Sequence, residues 1–106
     1  MVASMEKRIP HYPLKEIKGQ MQTAEDMKLT ISARQGMNNL RMTELEVVKV
    51  VQGLGITDFY KSMTTYSDHR VWQDVYRCTY GTMELYIKFQ KLDKYFVISF
   101  KGRTDG

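Results

Sequence analysis

The chain has 106 residues, enough for one domain with one core and too few for two ordinary ones. With 42% hydrophobic and 26% charged residues it reads as globular rather than disordered. No apolar run approaches the ~20 residues that span a bilayer, so no membrane partner is expected. Net charge is +4, and one cysteine (Cys78) with two histidines allows neither an intrachain disulfide nor a Cys/His zinc site, which points to a reducing, cytoplasmic setting without a cofactor.

Taken in order, residues 1–4 read as an extension, and the opening MVASMEKRIP lacks the apolar segment of a secretory signal. Pro13 suits a first helical position, and Leu14, Ile17, Met21 and Ala24 then fall at i, i+3, i+7 and i+10 on one helical face. Gly19 weakens that helix by about 1 kcal/mol relative to Ala. Residues 28–32 read as a short strand or a connector. A second helix is predicted from Ala33, Gly36, Met37 and Leu40, its later turns weakened by Asn38 and Asn39. Thr43-Glu44-Leu45-Glu46 is a capping box, in which hydroxyl and carboxylate each satisfy an orphan N–H. Val47, Val50, Val51 and Leu54 carry the third helix forward until Gly53 and Gly55 stop it.

From Asp58 the period changes from 3.6 to 2. Strands are predicted at 58–65, 71–80, 82–91 and 95–103, with Ser67-Asp68-His69, Gly81 and Asp93-Lys94 as turns. Leu85, Ile87 and Phe89 alternate with Glu84, Tyr86 and Lys88, and Phe96, Ile98 and Phe100 with Val97, Ser99 and Lys101. One apolar and one mixed face suit helices covering one side of an antiparallel sheet. The predicted class is α+β: N-terminal helices on a curved antiparallel sheet made mainly by the C-terminal half, with Leu45, Val47, Val48, Val51, Ile87, Phe96 and Ile98 in the core.

The stretch DFYKSMTTYSDHRVWQDVYR, residues 58–77, interleaves large aromatics with Lys61, Ser62, Thr64, Thr65, Gln73 and Arg77. Cations and hydroxyls among π-faces suit single-stranded RNA, although half-buried strands are often aromatic-rich for packing alone. Residues 86–103 set Lys88, Lys91, Lys94, Lys101 and Arg103 against Asp93 alone, which either attracts a polyanion or protects an edge strand. There is no Walker-type loop, no G-x-S-x-G and no H-E-x-x-H. Asp68 and Asp74 are too isolated for a two-metal nuclease, and Asp68-His69 could mimic part of a nuclease base or be a solvated loop. Tyr86 and Lys101 share the non-core phase of neighbouring strands, whereas the phase of Lys61, between Phe59 and Met63, is ambiguous. Taken on the residues alone, each of these, and Gln73 beside Trp72, reads first as an exposed strand side chain.

The same stretch closely resembles the signature of the MqsR (motility quorum-sensing regulator) family of RelE-like toxins that cleave mRNA. The resemblance also takes in Met5-Glu6-Lys7-Arg8, Pro10, His11, Leu85-Tyr86-Ile87-Lys88 and Val97-Ile98-Ser99-Phe100-Lys101, and it thins to matching length and pattern across the helices. It implies a RelE-like fold and a type II toxin: an endoribonuclease acting on single-stranded mRNA at GC-containing triplets such as GCU, without a metal. It implies neutralisation by an MqsA-type antitoxin. Matched position by position, it gives Lys61, Gln73, Tyr86 and Lys101 as the catalytic set and Met63 as lining the site. Arg77 and Lys88 are the further residues expected to contact RNA. The rival expectations are a non-catalytic RNA-binding translational regulator on the same fold, and an interaction protein with an acidic partner.

Overall fold

The computed structural model describes residues 5–102. Three helices, α1 (Leu14–Gln20), α2 (Ile31–Leu40) and α3 (Glu44–Gly53), precede most of a five-stranded antiparallel sheet. Its strands are β1 (Glu6–Lys7), β2 (Phe59–Thr64), β3 (Trp72–Tyr80), β4 (Met83–Leu92) and β5 (Tyr95–Gly102), in spatial order β1-β2-β3-β4-β5. The class is α+β, as the change of period at Asp58 predicts. The extension at residues 1–4 and the basic residue Arg103 lie outside the described residues.

Each helix starts where its chemistry allows. Thr30 caps α2 by accepting from the Ala33 N–H at 3.0 Å. The capping box of α3 closes as expected, with Glu46 N–H to Thr43 Oγ1 at 3.1 Å and Thr43 N–H to Glu46 Oε1 at 2.8 Å. The second oxygen of Glu46 accepts from the Tyr80 hydroxyl at 2.6 Å, which ties the start of α3 to the end of β3. Residues 28–30 are a connector rather than a strand. Leu29 forms a single parallel bridge with Ile98, and the backbones of Lys28 and Thr30 take up both free polar groups of Ile98.

The helices cover one face of the sheet. Ile17, Met21, Ala33, Met37, Val47, Val48, Val51 and Leu54 meet Tyr76, Leu85, Ile87, Phe89, Phe96, Ile98 and Phe100 in one buried cluster. Six of the seven expected core residues are in it. The exception is Leu45, which is 58% exposed. It precedes Val47 by two residues, about 200° around the helix axis, so the turn that buries Val47 carries Leu45 toward solvent.

The edge formed by β5 is shielded by backbone and amide groups. Gln20 both donates to Phe96 O and accepts from Phe96 N–H, each at 2.8 Å. At Gly36, α2 approaches so closely that a Cβ would stand 2.5 Å from the Phe100 carbonyl oxygen. At the other edge, the two-residue strand β1 pairs Glu6 with Met63 and Lys7 with Ser62. That strand lies outside the half of the chain from which a sheet is expected. It is anchored farther along by buried Asp74, whose carboxylate accepts from the N–H groups of His11 at 3.0 Å and Tyr12 at 2.8 Å.

Candidate functional site

The face of the sheet that the helices leave uncovered is organised by register. Lys101, Tyr86 and Arg77 stand opposite one another across β5, β4 and β3. The next row is Ser99, Lys88, Val75 and Lys61, and the third is Val97, Gln90, Gln73 and Met63. Side chains two residues apart share a face, so the rows repeat about every 7 Å along the strands, with about 4.8 Å between strands. Alternation therefore places every expected site residue on one surface.

The phase of Lys61 depends on a β-bulge. Phe59 pairs with Tyr76 on the core side, but Lys61 pairs with Val75, so two residues of β2 span one step of β3. The extra residue is Tyr60, and the shift turns both Tyr60 and Lys61 to the open face. Tyr60 is a residue of this face that strand periodicity does not reveal. The Arg77 guanidinium lies 4.0 Å over its ring, Arg8 5.6 Å and Lys61 Nζ 5.3 Å, and the Tyr86 ring is 6.2 Å away. Cations held against a ring favour its negative face and fix its orientation.

Three of the four expected catalytic residues, Lys61, Tyr86 and Lys101, line one shallow depression of about 210 Å³ with Tyr60, Met63 and Lys88. Gln73 does not line it. Its amide is bound to Gln90 at 2.6 Å, and it lines the adjoining recess of about 380 Å³ with Lys61, Met63, Tyr66 and Lys88. Arg77 also stands outside the depression and reaches it through Tyr60. Lys61, Gln73 and Tyr86 are half-buried rather than exposed, because neighbouring rows of long side chains cover their stems. The Asp68-His69 pair lines neither recess. Asp68 is held by Arg70 in a local turn, at 3.0 Å, and that guanidinium draws its carboxyl below the usual range.

Charge is concentrated but not uniform. Lys61 Nζ is 2.7 Å from Glu6 of β1, and this contact lowers the Glu6 pKa. Glu6 is a second residue that the strand pattern misses, since a two-residue polar strand has no periodicity to read. Lys88 sits between Lys61 and Lys101. Its pKa is lowered first by burial and then by the charges of Lys101 and Lys61. Among the described residues no three His, Cys, Asp or Glu side chains converge, and no helix is long and apolar enough to cross a membrane.

Fold and face together define a small α+β protein that presents lysines, an arginine and tyrosines on the uncovered side of an antiparallel sheet. Residues 9–102 match the family described as motility quorum-sensing regulator, toxin of MqsA, and the chain belongs to that family. The chain is also similar to the mRNA interferase toxin MqsR of Escherichia coli (strain K12), with 41% identity over 99 residues, 93% of this chain and 100% of the relative.

Proposed function

We propose that this chain is a single-domain type II toxin, an endoribonuclease that cuts single-stranded mRNA by attack of the RNA's own 2′-hydroxyl and is neutralised by an MqsA-type antitoxin. The observation that carries the reading is the meeting of Lys61, Tyr86, Lys88 and Lys101 in one open depression, in a chain of this family. The 2′-oxygen bonds to the adjacent phosphorus, the bond to the 5′-oxygen breaks, and the products end in a 2′,3′-cyclic phosphate and a 5′-hydroxyl. The 2′-hydroxyl gives its proton to water and the departing 5′-oxygen takes one from water, while three ammonium groups around one phosphate stabilise the charge on its equatorial oxygens. Tyr86 aligns the 2′-hydroxyl or donates to a phosphate oxygen, and Gln73 acts on the flanking nucleotide. Tyr60, held by Arg77, offers a ring for base stacking, with Met63 beside it. Cleavage is expected at GC-containing triplets such as GCU.

The test is purified protein on a short RNA with one GCU, in the presence of excess EDTA. A cut leaving a 2′,3′-cyclic phosphate is the expected result. Binding without a cut would indicate a regulator instead, and activity restored only by Mg²⁺ or Mn²⁺ would overturn the lysine-based mechanism.

A further inference from the structure

The open face carries one more recess, which the proposed chemistry leaves unused. It lies between α2 and β5, has a volume of about 410 Å³, and is lined by Ser32, Gln35 and Asn39 on the helix and by Tyr86, Ser99 and Lys101 on the sheet. That is within the ~300–1,000 Å³ typical of small-molecule sites. Ser32, Gln35 and Asn39 recur at i, i+3 and i+7 and so rise from one side of α2, while the other side buries Ala33 and Met37. Gly36 lets the helix lie directly on the Phe100 carbonyl, and this close approach brings the two amides to the rim beside Lys101.

The walls of the recess differ in character. Tyr86, Lys88 and Lys101 also line the phosphate depression, so the two cavities adjoin across these side chains, and all the positive charge lies on the shared wall. The far wall is neutral. Gln35 and Asn39 are exposed, and among the described residues neither side chain makes a hydrogen bond. An amide offers a donor and an acceptor together, the pattern that complements the edge of an unpaired nucleobase. A second phosphate would find no cation on that wall.

We infer that the α2–β5 recess is a nucleobase subsite, which takes the base of a nucleotide adjoining the phosphate held at Lys61 and Lys101, with Gln35 and Asn39 determining which base is accepted. The inference rests on the ribonuclease reading above and deepens it. It places part of the sequence preference on a helix rather than on the sheet.

Short RNAs with one cleavage site, varied through all four bases at each position flanking the cut, separate the possibilities. Wild type, Gln35→Leu and Asn39→Leu are compared in single-turnover cleavage, with circular dichroism as the folding control. The expected result is a loss of about tenfold in discrimination at one flanking position, with preference at the other unchanged, as when one amide no longer pairs with a base edge. Gln35→Glu, which keeps an acceptor but removes the donor, is expected to shift preference toward a different base rather than abolish it. Unchanged preferences in both leucine variants overturn the subsite while leaving the ribonuclease reading intact. An equal loss on all substrates also overturns it, since that is the signature of general RNA affinity. No cleavage by the wild type overturns the functional reading and this inference with it.

Discussion

Lys61, Tyr86 and Lys101 reach the same depression from three strands, and each is expected to contribute differently from Gln73, which lies beside it and is engaged by Gln90. Lys61→Ala, Tyr86→Phe and Lys101→Ala should each slow single-turnover cleavage by roughly 10²–10³, the effect of losing one donor to a transition-state oxyanion. Gln73→Ala should cost less, because a neutral amide stabilises a phosphorane less than a cation does. Near-wild-type rates for both lysine variants would move the active site elsewhere. Lys88 adds a pH dependence. Burial and its two lysine neighbours hold its pKa below the ordinary 10.5, so it loses its charge earlier than an exposed lysine as pH rises. Cleavage should therefore decline on the alkaline side before ordinary lysines titrate, and Lys88→Arg should extend that limit to higher pH. The stability term has the opposite trend. Between the folded and unfolded pKa values the unfolded chain holds the proton and the folded chain does not, so this group's contribution to stability rises with pH through that window. Urea unfolding of wild type and Lys88→Gln across the alkaline range measures it.

Among the elements, β2 and α2 position the site by irregularity. The bulge at Tyr60 turns adjacent side chains to one face, and without it strict alternation would set Tyr60 and Lys61 on opposite sides. The seating of α2 depends on Gly36. Gly36→Ala would put a methyl group 2.5 Å from a backbone oxygen that cannot swing aside, so α2 must lift from β5. We expect a loss of about 1–3 kcal/mol, typical of overpacking, read as a lower urea midpoint with unchanged slope. The same lift should alter the recess beside Lys101 before it affects Lys61 on β2. A midpoint equal to wild type would show that the contact is not tight.

For the whole molecule, the uneven spread of charge makes RNA binding salt-dependent beyond the site itself. Lys91 is exposed on β4, outside the depressions, with its Nζ 5.3 Å from the Phe96 ring centroid. Lys91→Ala should weaken RNA binding across sequences and reduce the logarithmic salt slope by about 0.7 for each phosphate left unneutralised, with little change in the saturated single-turnover rate. A large fall in that rate would instead place Lys91 within the catalytic region. The molecule also secures its N-terminal strand through long-range polar contacts. Asp74 holds the backbone at His11 and Tyr12, and Glu6 meets Lys61, so a segment remote in sequence forms part of the site's wall.

What could be read from the residues in order was whatever depends on neighbours in the chain. The capping box at Thr43 and Glu46 is local chemistry, and it closes in the folded chain as its residue types require. The alternation through 83–92 and 95–102 assigns Tyr86, Lys88 and Lys101 to one face because strand side chains obey a period of two wherever they lie. Tertiary structure decided the rest. Leu45 is apolar and begins a valine-rich helix, yet it lies in solvent, because the side of a helix that is buried is set by what packs against it. Pairing with β3 fixes the phase of Lys61 through a bulge that no residue of β2 announces. Glu6 and Lys7 form a strand because β2 offers free backbone groups there and Asp74 fixes the chain just beyond, not because two polar residues favour extension. Local patterns act within a few residues of the chain, whereas a face drawn from several strands is set by hydrogen-bond register and closest approach, which arise only once distant segments meet.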